Sequence, residues 1–475
     1  MTGAGSPEKV LVIGSGPNGL AAAITAASAG HPVELLEGAA TLGGGTRTAE
    51  LTLPGFLHDV CSAIHPLSVA SPFFSQLPLE QHGLRWVHPP VPLAHPLDDG
   101  TAVLLERGVE ETADSLGVDG GAWRRLVSPF LGKWDPLLQE LLAPAHIPRR
   151  PLLTAAFGCR AALSARAFAD LTLEGTRGRG LFAGLSAHSF VPMETPGSAA
   201  FGLVLGLSAH AVGWPFPEGG AQRLTDALVS VLHSRGGKTA TGRWVRSLEE
   251  LEPARCVLLD VTPRQLLEIA GPRLAPLYRA RLRRYRYGAA AFKVDWALAG
   301  PVPWRAPECA RAGTVHLGGT FEDIASSERE VWMGRVPERP FVLLAQHTLF
   351  DPSRAPAGRH TAWAYCHLPN GCDVDVTDRI ERQVERFAPG FRDLIIGRSV
   401  ISPRRYQEYN PNLVGGDING GVQDLWQLFA RPVLSLDPYF TGIPGVWLCS
   451  SSTPPGGGVH GMCGFVAARH ALAKL

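Results

Sequence analysis

A glycine-rich turn near the start of the chain is the clearest candidate for chemistry. Residues 14–19 read Gly-Ser-Gly-Pro-Asn-Gly, which is the spacing GxGxxG. Gly14 permits a tight turn, Gly16 lets the backbone approach a pyrophosphate, and Gly19 lets the next helix pack on the preceding strand. The N–H groups at the start of that helix would face the phosphates. Taken alone, the motif is also compatible with a glycine-rich loop that binds nothing.

The segments on either side supply the elements that such a turn needs. Residues 9–14 are rich in β-branched side chains, as expected of a strand buried on both faces of a parallel sheet. Residues 20–30 favour a helix that stops at a glycine, and residues 32–37 favour a second strand that ends at Glu37. A carboxylate at this strand end accepts hydrogen bonds from ribose hydroxyls. The sequence therefore predicts a βαβ unit that binds a dinucleotide.

A second glycine turn, Gly-Gly-Gly-Thr-Arg at residues 43–47, follows the second predicted strand. FAD-binding oxidoreductases of the glutathione-reductase and amine-oxidase type carry a similar glycine pair and arginine there. The alternative is an ordinary surface turn with a solvated arginine. We predict non-covalently bound FAD, held at this end by Gly14, Gly16, Pro17, Asn18, Gly19, Glu37, Gly43, Gly44, Gly45, Thr46 and Arg47.

The end of the chain resembles a flavin-binding segment. Residues 445–475 read as a strand, a glycine-rich loop and a closing helix. They resemble the C-terminal FAD motif of phytoene-desaturase-like oxidoreductases, which include carotenoid desaturases, carotenoid isomerases and pyridine nucleotide-disulfide oxidoreductase domain-containing proteins. A turn that only caps a terminal helix is the alternative. The resemblance implies that FAD is also bound by Gly457, Gly458, Val459, His460, Gly461 and Met462.

The same resemblance extends through the middle of the chain and implies a split domain. Segments similar to the last of these branches lie at residues 215–228, 314–319, 351–360 and 412–421. Because both ends of the chain would hold FAD, we predict an α/β Rossmann-type domain of the glutathione-reductase and amine-oxidase type that is discontinuous in sequence. An α+β substrate domain with a helical cap is interleaved with it. The predicted boundaries are 1–75, 206–270 and 436–475 for FAD, and 76–205 and 271–435 for substrate.

Local patterns add three finer expectations about these domains. Residues 84–87 and 101–105 alternate in polarity and predict a hairpin, and residues 243–248 predict a strand. The apolar stretch 198–212 is interpreted as core or pocket wall. Its alternative is a surface patch that admits an apolar substrate from a membrane, so peripheral membrane contact is expected as a possibility.

Two residues are candidates for catalysis, Lys293 and His460. The context of Lys293, residues 290–298, resembles the strand of amine-oxidase-type flavoproteins that brings a lysine to flavin N5 through water. The alternative is a lysine on the exposed face of an alternating strand. His460 could bind the flavin or move a substrate proton, or it could only hold the loop.

Three further residues are candidates for a substrate pocket. His65 follows the second glycine turn, and Trp214 and Phe216 precede another glycine pair. A structural role for the histidine and core packing for the two aromatic residues are the alternatives. The eight cysteines form no CxxC pair, and no metal site is predicted.

Composition narrows the classes of partner. The chain of 475 residues has 44 Lys and Arg against 43 Asp and Glu, a net charge of +1, so no bulk field attracts nucleic acid. A small apolar molecule is the expected partner. The sequence shows neither a secretory signal nor an uninterrupted apolar run of membrane-spanning length, and a cytoplasmic location is expected.

The expected function is an FAD-dependent dehydrogenase or desaturase. It would transfer a hydride from an apolar small molecule to flavin N5, with oxygen or a quinone as possible electron acceptor. Three alternatives stay open: a redox-neutral FAD-dependent isomerase, an amine oxidase, and a non-catalytic FAD-binding protein.

Overall fold

Two large β-sheets and their covering helices organise residues 8–475, the part of the chain that the computed structural model describes. Residues 1–7, which begin the first predicted segment of the FAD domain, lie outside the described residues. The strands are Val10–Ile13 (β1), Val33–Leu36 (β2), Thr48–Glu50 (β3), Leu57–Asp59 (β4), Trp86–Val87 (β5), Val91–Pro96 (β6), Ala102–Leu105 (β7), Phe216–Pro217 (β8), Lys238–Ala240 (β9), Cys256–Leu259 (β10), Ala290–Leu298 (β11), Ala312–Leu317 (β12), Val342–Ala345 (β13), His360–Leu368 (β14), Ile395–Ile401 (β15) and Val446–Leu448 (β16).

Helices cover both sheets. The α-helices are Pro17–Ser28 (α1), Pro66–Val69 (α2), Val109–Leu116 (α3), Gly120–Leu131 (α4), Trp134–Leu141 (α5), Pro151–Ala161 (α6), Ala165–Thr172 (α7), Thr176–Ala187 (α8), Ser198–Ala211 (α9), Gln222–Ser234 (α10), Pro263–Ala270 (α11), Pro276–Leu282 (α12), Phe321–Trp332 (α13), Thr377–Phe387 (α14), Pro403–Tyr409 (α15), Leu425–Phe429 (α16) and Met462–Leu472 (α17).

The first sheet is parallel throughout and has the strand order β16-β10-β1-β2-β9. Its strands come from the beginning, the middle and the end of the chain. Helices α1 and α17 pack against each other so closely that a Cβ at Gly464 would lie 1.7 Å from the carbonyl oxygen of Asn18. The predicted Rossmann-type α/β class is confirmed by this arrangement.

The second sheet is mixed and has the order β15-β11-β14-β13-β12-β6-β7. Strand β11 has all nine residues buried, because one face packs on helix α14 and the other faces the first domain. Trp296 shows the contact with the helix, since its Nε1 donates to Glu381 Oε1 at 3.0 Å. Helices α3 to α9 form a cap whose apolar core is continuous with that of the first sheet.

Two local predictions are wrong. Residues 84–87 do not form a hairpin with 101–105: β5 pairs with β8, and β7 pairs with β6. Strand β6 contains Pro92 and Pro96, residues that normally argue against a central strand. Residues 243–248 form no strand, and the amide of Arg243 instead donates to the carbonyl of Glu37 at 2.8 Å.

Several buried histidines are held neutral by the fold. Burial favours the uncharged ring and lowers the pKa below the ordinary value near 6.5. The pKa falls to about 3 for His188 and to about 4 for His65, His95, His210 and His460.

This set of histidines predicts acid destabilisation. Below about pH 6.5 the unfolded chain binds protons that the folded rings refuse, so the free energy of unfolding falls as pH falls. We expect a loss of several kcal/mol between about pH 7 and about pH 5, measured by denaturant unfolding. His95→Leu should make the dependence shallower. Equal free energies at the two pH values would contradict the neutral state of these rings.

Candidate functional site

A cavity of about 1480 Å³ runs between the two sheets. It begins at the carboxyl ends of β1, β2 and β10, the edge where open parallel sheets bind ligands. It then passes the loop Gly457–Val459 and reaches side chains of β12, β13 and β14. Its far wall is formed by mostly apolar residues of α5, α6 and α9.

Each glycine of the first turn is required for a different structural reason. Gly14 has a φ of +99°. A Cβ at Gly16 would lie 2.7 Å from Asp260 Oδ2, and one at Gly19 would lie 2.1 Å from the carbonyl oxygen of Gly14. The amide of Gly19 donates to Asp260 Oδ2 at 2.9 Å. The turn is therefore pressed against the end of β10, and Pro17 starts helix α1 three residues before the predicted helix start, as its fixed φ allows.

Glu37 is held in one position at the end of β2. Its Oε2 accepts from the amide of Ser15 at 2.9 Å and from the Ser15 hydroxyl at 2.5 Å. Its Oε1 accepts from the amide of Ala39 at 2.8 Å and lies 3.3 Å from Arg47 Nη2. The carboxylate lines the cavity in a fixed orientation, as ribose recognition requires.

The second glycine turn touches the first. A Cβ at Gly44 would lie 3.0 Å from the Cα of Gly16, and the amide of Gly43 donates to Ser15 Oγ at 3.0 Å. Arg47 is buried, donates to the carbonyl of Thr41 at 2.6 Å, and is not the solvated arginine of the alternative. Of this predicted set, the cavity wall includes Gly14, Gly16, Pro17, Asn18, Glu37, Gly44, Gly45, Thr46 and Arg47, whereas Gly19 and Gly43 support it from behind.

The C-terminal loop contributes Gly457, Gly458 and Val459 to the cavity wall, but not the residues after them. Gly461, with a φ of +68°, is the N-cap of α17, and Met462 is its first residue. His460 is fully buried, and its Nδ1 accepts from the Met462 amide at 3.1 Å. In this position His460 holds the loop, and a direct role in chemistry stays a prediction.

Lys293 is fully buried, so its alternative placement on an exposed strand face is wrong. Its Nζ donates to both carboxylate oxygens of Asp295, at 2.5 and 2.6 Å, and His58 Nδ1 lies 3.3 Å from the same carboxylate. Lys293 is not in the cavity wall, whereas Trp363, whose ring centre lies 5.4 Å from Nζ, is. The amine-oxidase-like role of Lys293 stays a prediction.

The three predicted pocket residues separate into two groups. His65 and Trp214 line the cavity, and the Nε2 of His65 has no partner within residues 8–475. Phe216 lies outside the wall, where it packs edge-on against His347 at 4.5 Å and under the guanidinium of Arg354. Its assignment to the pocket is therefore corrected to core packing.

Helix α9 decides between the two interpretations of residues 198–212. Most of the helix is buried, and Ala200, Phe201, Val204 and Leu205 form cavity wall. The stretch is therefore a pocket wall and not a surface patch. No helix within residues 8–475 is both long and apolar enough to cross a bilayer. The same residues contain no group of three or more side chains placed to bind a metal ion.

The sequence interpretation missed several wall residues. Asp260 ends β10 as Glu37 ends β2, and this parallel was a usable signal because parallel strands share one carboxyl edge. Burial raises the pKa of Asp260 to about 7, and the negative charge of Glu37 adds to the rise. The hydrogen bond from the Gly19 amide acts in the opposite direction and lowers this pKa. No local pattern marked the other missed residues, which include His188, Thr314, Leu343, Trp363 and Tyr365.

Comparison with known proteins agrees with this geometry. Residues 12–77 match the model of the NAD(P)-binding Rossmann-like domain. An oxidoreductase from Methanosarcina mazei superposes with a TM-score of 0.65 at 16% identity, covering 98% of this chain and 100% of the other. The chain has a Rossmann-type fold. Putrescine oxidase bound to putrescine shares it, with a TM-score of 0.62, 15% identity, and coverage of 98% and 99%.

The sequence comparison also bears on the expected resemblance. The chain is 26% identical to pyridine nucleotide-disulfide oxidoreductase domain-containing protein 2 of Rattus norvegicus over 98% of this chain and 93% of the relative. The likeness to this branch therefore extends along nearly the whole chain. The likeness to phytoene desaturases stays a prediction.

A buried ion cluster ties the second sheet to the first domain beside the cavity. Arg354 donates from Nη1 to Asp59 at 2.6 Å and from Nε to Asp351 at 2.9 Å. Asp59 also accepts from the amide of Ala221, and Asp351 from that of Gly219, both at 2.7 Å. Burial opposes the charge on Asp59, but Arg354 and His347 outweigh it and hold the pKa of that carboxyl well below its usual range.

Removing one partner of this cluster should be strongly destabilising. Asp59→Asn leaves a buried guanidinium with one anion fewer, and we expect the free energy of unfolding to fall by about 3–5 kcal/mol. Glu110→Gln is the matched control, because it breaks the exposed Arg124–Glu110 pair and should cost less than about 1 kcal/mol. Denaturant unfolding checks both variants. If both variants lowered the free energy of unfolding equally, the buried cluster would contribute no more to stability than an exposed ion pair.

Proposed function

We propose that the protein is an FAD-dependent oxidoreductase that removes a hydride from an apolar small molecule. One observation carries the proposal: a single cavity joins two abutting glycine turns and a fixed carboxylate to an apolar compartment under the helical cap. The first part suits a dinucleotide and the second suits an organic substrate. FAD, when bound there, would supply the hydride acceptor, flavin N5.

The residues of the first part fit non-covalent FAD. Asp260 leaves no room for a side chain at Gly16, so the turn presents only backbone at this position, as a pyrophosphate site requires. Glu37 offers a carboxylate to ribose hydroxyls, and the buried Oδ1 of Asn18, which has no partner within residues 8–475, faces the same region. Gly457 and Gly458 permit close approach of the C-terminal loop, and α17 directs its positive end toward it.

The residues of the second part would bind and desolvate a substrate. Leu141, Phe157, Phe201 and Leu205 present apolar surface from three cap helices. Trp363 and Tyr365, whose rings lie 5.8 Å apart and nearly parallel, form the opposite wall on β14. Such a compartment excludes water and favours an apolar molecule of moderate size. Oxygen or a quinone would take the electrons onward.

An amine oxidase is the second candidate, and Glu140 favours it. This residue of α5 lines the cavity and is nearly buried, and its Oε2 pairs with His146 Nε2 at 2.8 Å. Its Oε1 makes no hydrogen bond within the described residues, although Arg150 Nη1 lies 3.8 Å from it, and an ammonium group would bind beside that guanidinium. Peroxide release with amines would support this candidate.

A redox-neutral isomerase would leave product mass unchanged, and desaturation would remove two hydrogens.

Retention of FAD tests the proposal directly. Gly16→Val should lose nearly all bound flavin, because its Cβ would lie 2.7 Å from Asp260 Oδ2 and would displace the turn that would hold the pyrophosphate. Gly132→Ala is the control, since a Cβ there meets nothing within 4 Å and the backbone φ is −67°. The measurements are an absorbance spectrum and the mass of the released ligand. A wild-type protein that stays colourless after reconstitution would refute FAD binding.

Asp260 should make FAD affinity depend on pH. Its carboxyl lies against the turn that would hold the pyrophosphate, and burial raises its pKa to about 7. Above that pH a carboxylate would repel the phosphates, so the Kd of FAD should rise, approaching about tenfold per pH unit. Titration of the apoprotein with FAD from about pH 6 to about pH 9 checks this. Asp260→Asn should flatten the profile, and an unchanged profile in that variant would exclude Asp260 as the source.

A further inference from the structure

A pair of histidines lies where the cap meets the second sheet. His188 directly follows helix α8 and lines the cavity. Its Nε2 is 3.1 Å from the Nε2 of His316 on strand β12, and its ring stands edge-on to Trp214 at 6.0 Å. One of the two Nε2 atoms must donate and the other must accept.

The surroundings of His316 decide which ring donates. His316 is fully buried, and its Nδ1 has no hydrogen-bond partner within residues 8–475. The ring packs against the backbone of α8, since a Cβ at Gly184 would lie 2.8 Å from that Nδ1. An N–H group without an acceptor costs more in a dry interior than an unused lone pair. The proton of His316 therefore resides on Nε2, which donates to His188.

This assignment determines what His188 presents to the cavity. Because its Nε2 accepts, the neutral ring carries its proton on Nδ1. Nδ1 makes no hydrogen bond to the described part of the chain, and it is not among the buried atoms that lack a partner. Burial lowers the pKa of both rings, to about 3 for His188, so the pair stays neutral. His188 thus offers one N–H donor in a largely apolar wall.

Two further observations indicate a ligand at this position. Phe190, two residues after His188, has a φ of +57°, a left-handed conformation that is uncommon for a bulky residue and often marks a functional constraint. It is buried, with its ring 3.8 Å from that of His367, so the turn that orients His188 is rigid. Thr314 lies on the same face of β12 as His316, lines the cavity, and has an Oγ1 without a partner within residues 8–475.

We propose that His188 donates a hydrogen bond from Nδ1 to an oxygen atom of the substrate. The substrate class is then an apolar molecule that carries a carbonyl, hydroxyl or ether oxygen, rather than a pure hydrocarbon or an ammonium ion. His316 acts as the positioning residue that sets the tautomer. This inference rests on the proposed function, because only an enzyme has a substrate. The hydrogen bond itself requires only that a ligand enters the cavity.

Two matched probes test the hydrogen bond. Cyclooctanone and methylenecyclooctane differ only in the exchange of a carbonyl oxygen for a methylene group. We define the ketone preference as the ratio of ketone affinity to hydrocarbon affinity, and we expect it to be about tenfold higher in the wild-type protein than in His188→Phe, as one neutral hydrogen bond in a dry site allows. In His188→Phe the carbonyl would be buried without a hydrogen bond and the ketone should bind more weakly, whereas the affinity for the hydrocarbon should stay nearly unchanged. Calorimetry measures these affinities whether or not flavin is bound.

Variants of His316 test the positioning role. His316→Gln keeps an N–H donor and should retain the preference for the ketone, whereas His316→Leu should lose most of it. His210→Phe is the control, because His210 is a buried histidine that binds Trp123 away from the cavity. Nitrogen-15 spectra of histidine-labelled protein should show His188 protonated at Nδ1 and His316 at Nε2.

The outcomes separate this inference from the proposed function. The inference is overturned if His188→Phe keeps the wild-type ketone preference, or if the spectra show the opposite tautomers. Absorbance of the same samples reports flavin separately. If the protein binds no flavin but the ketone preference depends on His188 as expected, the proposed FAD binding is refuted and the proposed hydrogen bond is not.

Discussion

The close approach of the first glycine turn to the end of β10 is the constraint on which the site depends. The Gly19 amide bonds to the buried carboxyl of Asp260, and the other glycines of the turn leave no room for a side chain on that side. This contact joins residues more than two hundred positions apart. It also sets the place of helix α1, against which α17 packs, and so positions the C-terminal loop along the cavity.

The polar groups around the cavity fall into two sets: those that have a hydrogen-bond partner in the protein and those that have none in the described part of the chain. Glu37 is surrounded by donors that hold its orientation, and Lys293 is fully paired with Asp295. By contrast, His65, Asn18 and Thr314 each have a buried polar atom without a partner in the described part of the chain. Buried polar atoms are usually paired, so these unpaired atoms of wall residues are exceptions that the folded chain alone does not satisfy.

The cap and the Rossmann-type sheet provide chemically different walls for the cavity. The parallel sheet places backbone amides and carboxylates at one edge, where charge can be recognised. The cap supplies apolar helices and the neutral His188, and the second sheet supplies the aromatic rings of Trp363 and Tyr365. A desolvated compartment of this kind strengthens each hydrogen bond within it, and the few donors there become decisive for specificity.

The sequence by itself determined the βαβ unit, the acid at the end of β2 and the second glycine turn, because these depend on residues close together along the chain. Strand β11 was predicted at its observed bounds for the same reason. The partners of β5 and β7, the core position of Phe216 and the burial of Lys293 were decided only by the tertiary structure. Pairing across a sheet and burial against a distant segment leave no local periodicity, so Asp260, His188 and His316 become a site only when the chain has folded.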